Sequence, residues 1–294
     1  METRRLQLLL ELSRLGSMRA VAEAMAITTS TVSQQIAALS RETGAVLVEP
    51  DGRRVRLTPA GRRLAAHAVT ILAAVDAARL DLDPAAVPTG TVRIAGFSTA
   101  NRRSLLPIAA VLARDHPGVR LLIHEHEPGE ALALLATDDL DLALTYDFNL
   151  APAPPAPGVE LTRLWSSPWS LGVPAATPAV AGSATSVFAN FAQHAWIVNS
   201  RNDADADAVC TVASMAGFEP QIAHRADSLE LVQDLIVAGM GVGLLPADQP
   251  VRPGVKLLAL REPEMRIRAA LVVRPGRADW PPLALVVDML TGST

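Results

Sequence analysis

Seven of the eight residues from Thr28 to Gln35 carry a side-chain hydroxyl or amide: Thr28, Thr29, Ser30, Thr31, Ser33, Gln34 and Gln35. Such groups hydrogen-bond base edges and phosphates without burying a charge. To act together they must lie on one rigid element. Val32, Ile36 and Leu39 recur at helical spacing beneath them, and Thr28 or Thr29 is a good N-cap. A shorter amphipathic stretch precedes, with Ala20, Val21, Ala24 and Met25 apolar and Ser17 in the capping position. Ala26-Ile27-Thr28 joins the two. Two helices of this length meeting at a three- or four-residue turn form a helix-turn-helix, so the segment is expected to read DNA, with Ser17 among its contacts. An ordinary packed helix pair would share the pattern, and the flanking sequence decides between them.

That sequence favours DNA. Leu6, Leu8, Leu9, Leu10, Leu12 and Leu15 place a broad apolar stripe on a supporting helix. Val46-Leu47-Val48 and Arg54-Val55-Arg56-Leu57 read as two short strands turning at Asp51-Gly52, a wing with Arg53 and Arg54 at its tip. Cationic side chains there are expected near phosphates or in the minor groove. Residues 1 to 63 hold ten arginines against six acids, a net +4, although the whole chain is −4. The remainder, with 16 basic and 24 acidic residues, is therefore −8. A basic end on an acidic body fits a DNA-binding head on a sensing domain.

Gly16 to Gly44 resembles, without a gap, the DNA-binding motif of LysR-type transcriptional regulators, through Ala22, Ile27, Ser33, Gln35, Ile36, Leu39 and Gly44. Gly52-Arg53-Arg54-Val55-Arg56-Leu57-Thr58-Pro59-Ala60-Gly61 resembles that family's wing and the start of its linker helix. Thr29 and Ser30 stand where glutamine and proline are common, Ser40 where an acid is usual and Pro50 where an arginine often sits. The first two bear on the base sequence read and Pro50 on one phosphate contact. The resemblance implies an α+β multidomain chain. It has an N-terminal winged helix-turn-helix, a long linker helix and a C-terminal α/β, periplasmic-binding-protein-like effector domain of two subdomains. It also implies a dimer or a dimer of dimers, with RNA polymerase as a partner if the regulator activates. The effector would shift the two subdomains and, through the oligomer, the bending of double-stranded DNA.

Thr58-Pro59 starts the long helix, threonine as N-cap and proline at the first helical position, ending near Leu82 before Pro84. Leu64, Ala68, Ile71, Leu72, Val75, Ala78 and Leu82 recur along it at three and four residues, a stripe that a second helix would cover. Two reading helices on a dimer would then require a two-fold-related DNA site. The expected divisions are 1–61 for the head, 62–87 for linker helix and hinge, and 88–294 for the effector domain. Within the last, subdomain I takes about 88–159 and 263–294, and subdomain II about 160–262.

Strands and helices alternate after the linker, which gives parallel sheets with helices on their faces. Strands are expected at 91–96, 119–125, 141–146, 160–164, 169–173, 195–199, 221–224, 242–245 and 266–273. Helices are expected at 101–115, 129–137, 204–216, 228–238 and 282–290. Ligands in such sheets bind beyond the carboxyl ends of strands, where helix N-termini offer free N–H groups. That rule selects Ser98, Thr99 and Asn101, then Tyr146 and Asp147, then Asn199, Ser200 and Arg201, then Asp227 and Ser228, as residues converging on a small-molecule effector cleft between the halves. Ser98 and Thr99 resemble the family's small-hydroxyl position, which would suit an anionic group. Capping alone would also explain Ser98, Thr99 and Asp227. Arg102 and Arg103 read as surface charges, and Trp165 and Trp169 as core or cleft lining.

Other motifs fail on inspection. Gly96-Phe97-Ser98-Thr99-Ala100 lacks the second glycine of a nucleophile elbow, and no acid–histidine order follows. Asp203, Asp205 and Asp207 imitate a calcium loop, but Ala208 and Ser214 stand at its turn and bidentate positions. His124 and His126 lack a third ligand for zinc. Gly239, Gly241 and Gly243 follow a helix rather than a strand, so they make no dinucleotide fingerprint. No enzyme, cofactor or metal is expected. The single cysteine, Cys210, allows no internal disulfide, and its apolar neighbours suggest a buried, inert thiol. With no stretch of about 18 uninterrupted apolar residues, a cytoplasmic protein is expected. The rival reading is a small-molecule-binding protein or enzyme with an accessory helical domain.

Overall fold

A computed structural model describes residues 1–51, 54–83 and 87–292. Arg53, one of the two expected wing-tip cations, lies outside the described residues, as does the side chain of Arg54. The head consists of α1 (Thr3–Leu15), α2 (Met18–Ala24) and α3 (Thr29–Thr43), followed by the hairpin of β1 (Val48–Asp51) and β2 (Arg54–Leu57). Leu6, Leu8, Leu9, Val21, Val32, Ile36 and Leu39 close its core. Ser17 caps α2 by accepting from the Ala20 N–H at 3.2 Å, and Thr28 caps α3 by accepting from Thr31 at 3.1 Å. Between them Ala26 turns the chain with φ of 52°, a left-handed conformation unusual for alanine. The first wing strand lies two residues later than expected, because Leu47 is buried as a core residue rather than laddered.

The 24-residue helix α4 (Pro59–Leu82) grows directly from the wing. Thr58 accepts from the Gly61 N–H at 3.0 Å and donates to the Val46 carbonyl at 2.6 Å. A Cβ on Gly61 would lie 2.1 Å from the Leu47 carbonyl oxygen, so only glycine lets the helix start this close to the head. Its apolar stripe divides in two. Leu64, Ala68, Ile71 and Leu72 pack against the head core, whereas Ala78 and Leu82 are exposed, Leu82 by 85%.

The second body contains β3 (Gly90–Gly96), α5 (Ser98–Ala100), a π-helical turn at Asn101–Leu105, α6 (Leu106–Asp115), β4 (Val119–Glu125), α7 (Pro128–Ala136) and β5 (Leu142–Phe148). Then come β6 (Glu160–Pro174), α8 (Ala184–Ala189), β7 (Ala195–Val198), α9 (Ala204–Met215), β8 (Gln221–Arg225) and α10 (Leu229–Val237). The chain closes with β9 (Val242–Pro246), β10 (Val255–Ala259), β11 (Arg266–Val273) and α11 (Pro281–Thr291). The strands run in the order β4-β3-β5-β11-β6-β9-β7-β8, with β10 also paired to β6.

Two expected strands are in fact the single strand β6. Its first part pairs with β11 up to Pro168, and its second part pairs with β9 from Trp169 and with β10 from Ser170. Pro168 sits where the strand changes partners, a place where a missing N–H costs little. Thus β6 and the return to β11 join two halves, one around β3, β4 and β5 and the other around β7, β8 and β9. Helix α8 and strand β10 have no counterpart in the sequence reading. Both are short, and each is fixed by distant contacts: Phe188 against Trp196 and β10 against β6.

Candidate functional site

On α3 the side chains that remain free and exposed are Thr29, Ser30, Ser33 and Gln34. The other candidates in the head are tied to structural tasks. Ser17 and Thr28 are caps, Thr31 shares a 2.8 Å hydrogen bond with Thr28, and Gln35 accepts from Arg5 Nε at 2.9 Å. The free polar face of α3 is thus narrower than the polar run. Around it Arg19 and Arg41 are exposed, and Arg56 projects from β2 with Glu49 at 2.8 Å.

The second site is a cleft of about 1020 Å³ between the two halves. Ser98, Thr99, Tyr146, Asn199, Asp227 and Ser228 line it, six of the ten residues selected by the strand-end rule. Asn101, Asp147, Ser200 and Arg201 do not. Asn101 turns back and donates to the Gly96 carbonyl at 2.8 Å, which locks the π-helical turn to β3. Ser200 is exposed in the turn after β7 and lines no part of the cleft. Asp147 faces away from its neighbour Tyr146, as strand alternation requires, and holds Arg268 at 2.6 and 2.7 Å.

Arg102 and Arg103 are exposed, as expected, at the mouth of the cleft, and each approaches a carboxylate. Arg103 lies 4.5 Å over the Trp165 ring and reaches Asp248 across the gap at 3.1 Å. Trp169 lines the floor, while Trp165 packs on Phe97 and donates to Ser104 at 3.0 Å.

Sequence reasoning missed Glu127, the residue with the most unusual surroundings. It stands at the N-cap of α7, only 4% exposed, and its Oε2 accepts from the Tyr146 hydroxyl at 2.9 Å and from Asn202 of the opposite half. Burial pushes its carboxyl up to about 7, despite the Tyr146 hydrogen bond. The Tyr146 phenol is raised well above its ordinary value by the same burial and by Glu127. Beside it Arg201 spans Glu130 of one half and Asp227 of its own half, the latter at 2.9 Å. The Arg201 hydrogen bond holds Glu130 down at about 2. Asn202–Glu127, Arg201–Glu130 and Arg103–Asp248 are thus three polar clasps between the halves. The strand-end rule, applied to β4 as it was to its neighbours, leads directly to Glu127.

Cys210 is exposed, contrary to the expectation of burial. On α9 the buried face is Ala206, Ala208, Val209, Val212 and Ala213, and helical rotation turns position 210 outward. The partial shielding the thiol still has, together with Asp207 and Glu219, pushes it up, away from the reactive thiolate.

A winged reading helix joined to a two-lobed, ligand-sized cleft defines a DNA-binding regulator with a sensing domain. Residues 3–62 match the model of the bacterial regulatory helix-turn-helix proteins of the lysR family, and residues 85–293 match that of the LysR substrate binding domain. The chain belongs to the LysR family of transcriptional regulators and is not an enzyme. It is 28% identical over 262 residues to the transcriptional dual regulator GltC of Bacillus subtilis, spanning 87% of this chain and 84% of that one. It is 30% identical over 266 residues to a probable hydrogen peroxide-inducible genes activator of Mycobacterium avium, covering 88% and 84%. Among solved structures, a full-length OxyR variant from Pseudomonas aeruginosa superposes with a TM-score of 0.75 at 20% identity, covering all of this chain and 94% of that one. Among the described residues no helix is long and apolar enough to cross a membrane.

Proposed function

We propose that this regulator is controlled by a small molecule bound between the two lobes, in the cleft lined by Ser98, Thr99, Tyr146, Asn199, Asp227 and Ser228. The carrying observation is the cleft itself: ligand-sized, polar at its centre and bridged by side chains from both lobes. A ligand that replaces or strengthens those clasps changes the angle between the lobes, and binding shifts the equilibrium only by its differential affinity for the two forms. Thr29, Ser30, Ser33 and Gln34 read bases, while Arg19, Arg41, Arg53 and Arg56 supply phosphate contacts.

The exposed far half of the α4 stripe, Ala78 and Leu82, supports pairing with a second copy, as a dimer or a dimer of dimers on a two-fold-related site. Changes in that geometry bend the DNA and, for an activated gene, help to recruit RNA polymerase in the cytoplasm. The divisions at 1–61, 62–87 and 88–294 belong to this reading. Two relatives are named for peroxide or for dual regulation, and those names describe those proteins. A lone exposed thiol held away from its thiolate favours a bound effector here.

The experiment is selection of bound duplexes from a random pool at near-physiological salt, followed by sequencing. An enriched, imperfectly palindromic site is expected. Binding that stays unselective with and without cellular small-molecule extract would overturn the reading.

A further inference from the structure

The chemical class of the effector follows from the charges deep in the cleft, and the inference rests on the effector-cleft reading above. At the base of the cleft, Tyr146, Asn199 and Asp227 also border a recess of about 40 Å³ that Asp205 lines from α9. A water-sized group needs only about 10–15 Å³, so the recess has room for an ammonium head. Oδ2 of Asp205 accepts from the Asn199 N–H at 2.7 Å, and the Asp205 and Ala206 amides at the start of α9 also approach the carboxylate, but its buried Oδ1 has no partner in good hydrogen-bond geometry. A buried, unpaired carboxylate oxygen beside a cavity is a group awaiting a donor.

Glu127 stands across Tyr146 from it, held by the neutral donors Tyr146, Asn202 and the Glu130 backbone N–H. The cations nearby are already engaged. Arg201 is divided between Glu130 and Asp227, and Arg225 holds Asp203 at 3.6 Å and the Asn199 carbonyl at 3.4 Å. At the mouth, Arg103 is paired with Asp248 and Arg252 with Asp234. The cleft is therefore short of positive charge at its deepest point.

We propose that the effector is a primary amine whose ammonium group enters this recess, donating to Asp205 Oδ1 and facing Glu127 and Asp227. Asp205 and Asp227 line the recess and Glu127 lines the adjoining cleft, so an ammonium there meets carboxylates on more than one side, and charge-assisted bonds of this kind are the strong ones. Burial raises Asp205 to about 6 and Glu127 to about 7, so both must lose protons to receive a cation. Affinity for amines consequently rises from pH 6 to pH 8. The groups facing the pair are Tyr146 from β5, Asp227 ahead of α10, Arg201 after β7 and Arg225 from β8.

The test is titration calorimetry on the full chain with 1,4-diaminobutane, L-lysine and succinate, at pH 6 and pH 8. At least one of the amines is expected to bind wild type, at least tenfold more tightly at pH 8, and to lose tenfold or more in both Glu127→Gln and Asp205→Asn. Two variants guard against one failing to fold, and circular dichroism checks each. Succinate binding without either amine, no binding by any of the three, or amine binding untouched by both substitutions, overturns the proposal. The cleft reading fails separately: a Thr99→Trp variant, which fills the cleft, would then leave the regulator's response to its inducing conditions in a reporter strain unchanged.

Discussion

The reading face and the cleft are built by opposite means. Every residue of the face comes from one helix, its caps are local, and its core lies within residues 6 to 68. The cleft takes residues from points as distant as Ser98 and Asp248, on two lobes joined by only β6 and the return to β11. The face presents free neutral groups on a rigid support, which suits a surface that must meet the same bases repeatedly. The cleft presents charged groups already bonded across a gap, which suits a surface that must exchange partners. In the proposed function, specificity belongs to the first and responsiveness to the second.

The sharpest way to break this comparison is at Ser33 and Gln34. Each replaced by alanine should weaken operator binding about ten- to a hundredfold, at about 1–3 kcal/mol for a good base contact, with random duplex unaffected in fluorescence anisotropy. Equal loss on both DNAs would make α3 a backbone-contacting helix only. Gly61→Ala comes next. Overlap with the Leu47 carbonyl should destabilise the head by about 1–3 kcal/mol, with the lobes' transition unmoved in urea unfolding monitored by hydrogen exchange.

A pH titration sharpens the other side. Glu127 has its carboxyl raised to about 7, so the folded form keeps its proton after the unfolded form has lost it. Stability of the lobes should therefore fall as pH rises from about 4.5 towards 7 and then level, and Glu127→Gln should flatten that slope in thermal melts. The smallest effect is expected at Ala26, whose left-handed backbone costs alanine about 1 kcal/mol. Ala26→Gly should raise the head's melting point slightly without altering DNA affinity.

What the sequence made legible follows the same division. The helix-turn-helix was readable because its evidence is local: Ser17 and Thr28 cap, and Val32, Ile36 and Leu39 repeat at helical spacing. Even there, Gln35 was counted as free because its partner, Arg5, lies 30 residues away. In the cleft, the strand-end rule found Ser98, Thr99 and Asn199 from chain order alone. It could not show that Asn101 turns inward, nor that Asn202 of the other lobe closes over Glu127, since both depend on packing between distant segments. Cys210 was misread for a related reason: apolar neighbours in sequence occupy the far face of its helix.

Two contacts tie the head and its helix to the lobe within a single chain. Arg14, in the last turn of α1, donates to Asp138 at 2.6 Å, and Asp138 also holds Arg274 of the lobe, 3% exposed and with φ of 66°. Further along, Thr70 of α4 reaches the Pro275 carbonyl at 3.3 Å. Because Gly61 seats α4 against the head without slack, head and helix form one stiff lever, and these two contacts are where the lobe grips it. A lever held at two points along its length cannot swivel about either alone. Any rotation of the lobe must then carry the reading helix with it or let go of Asp138.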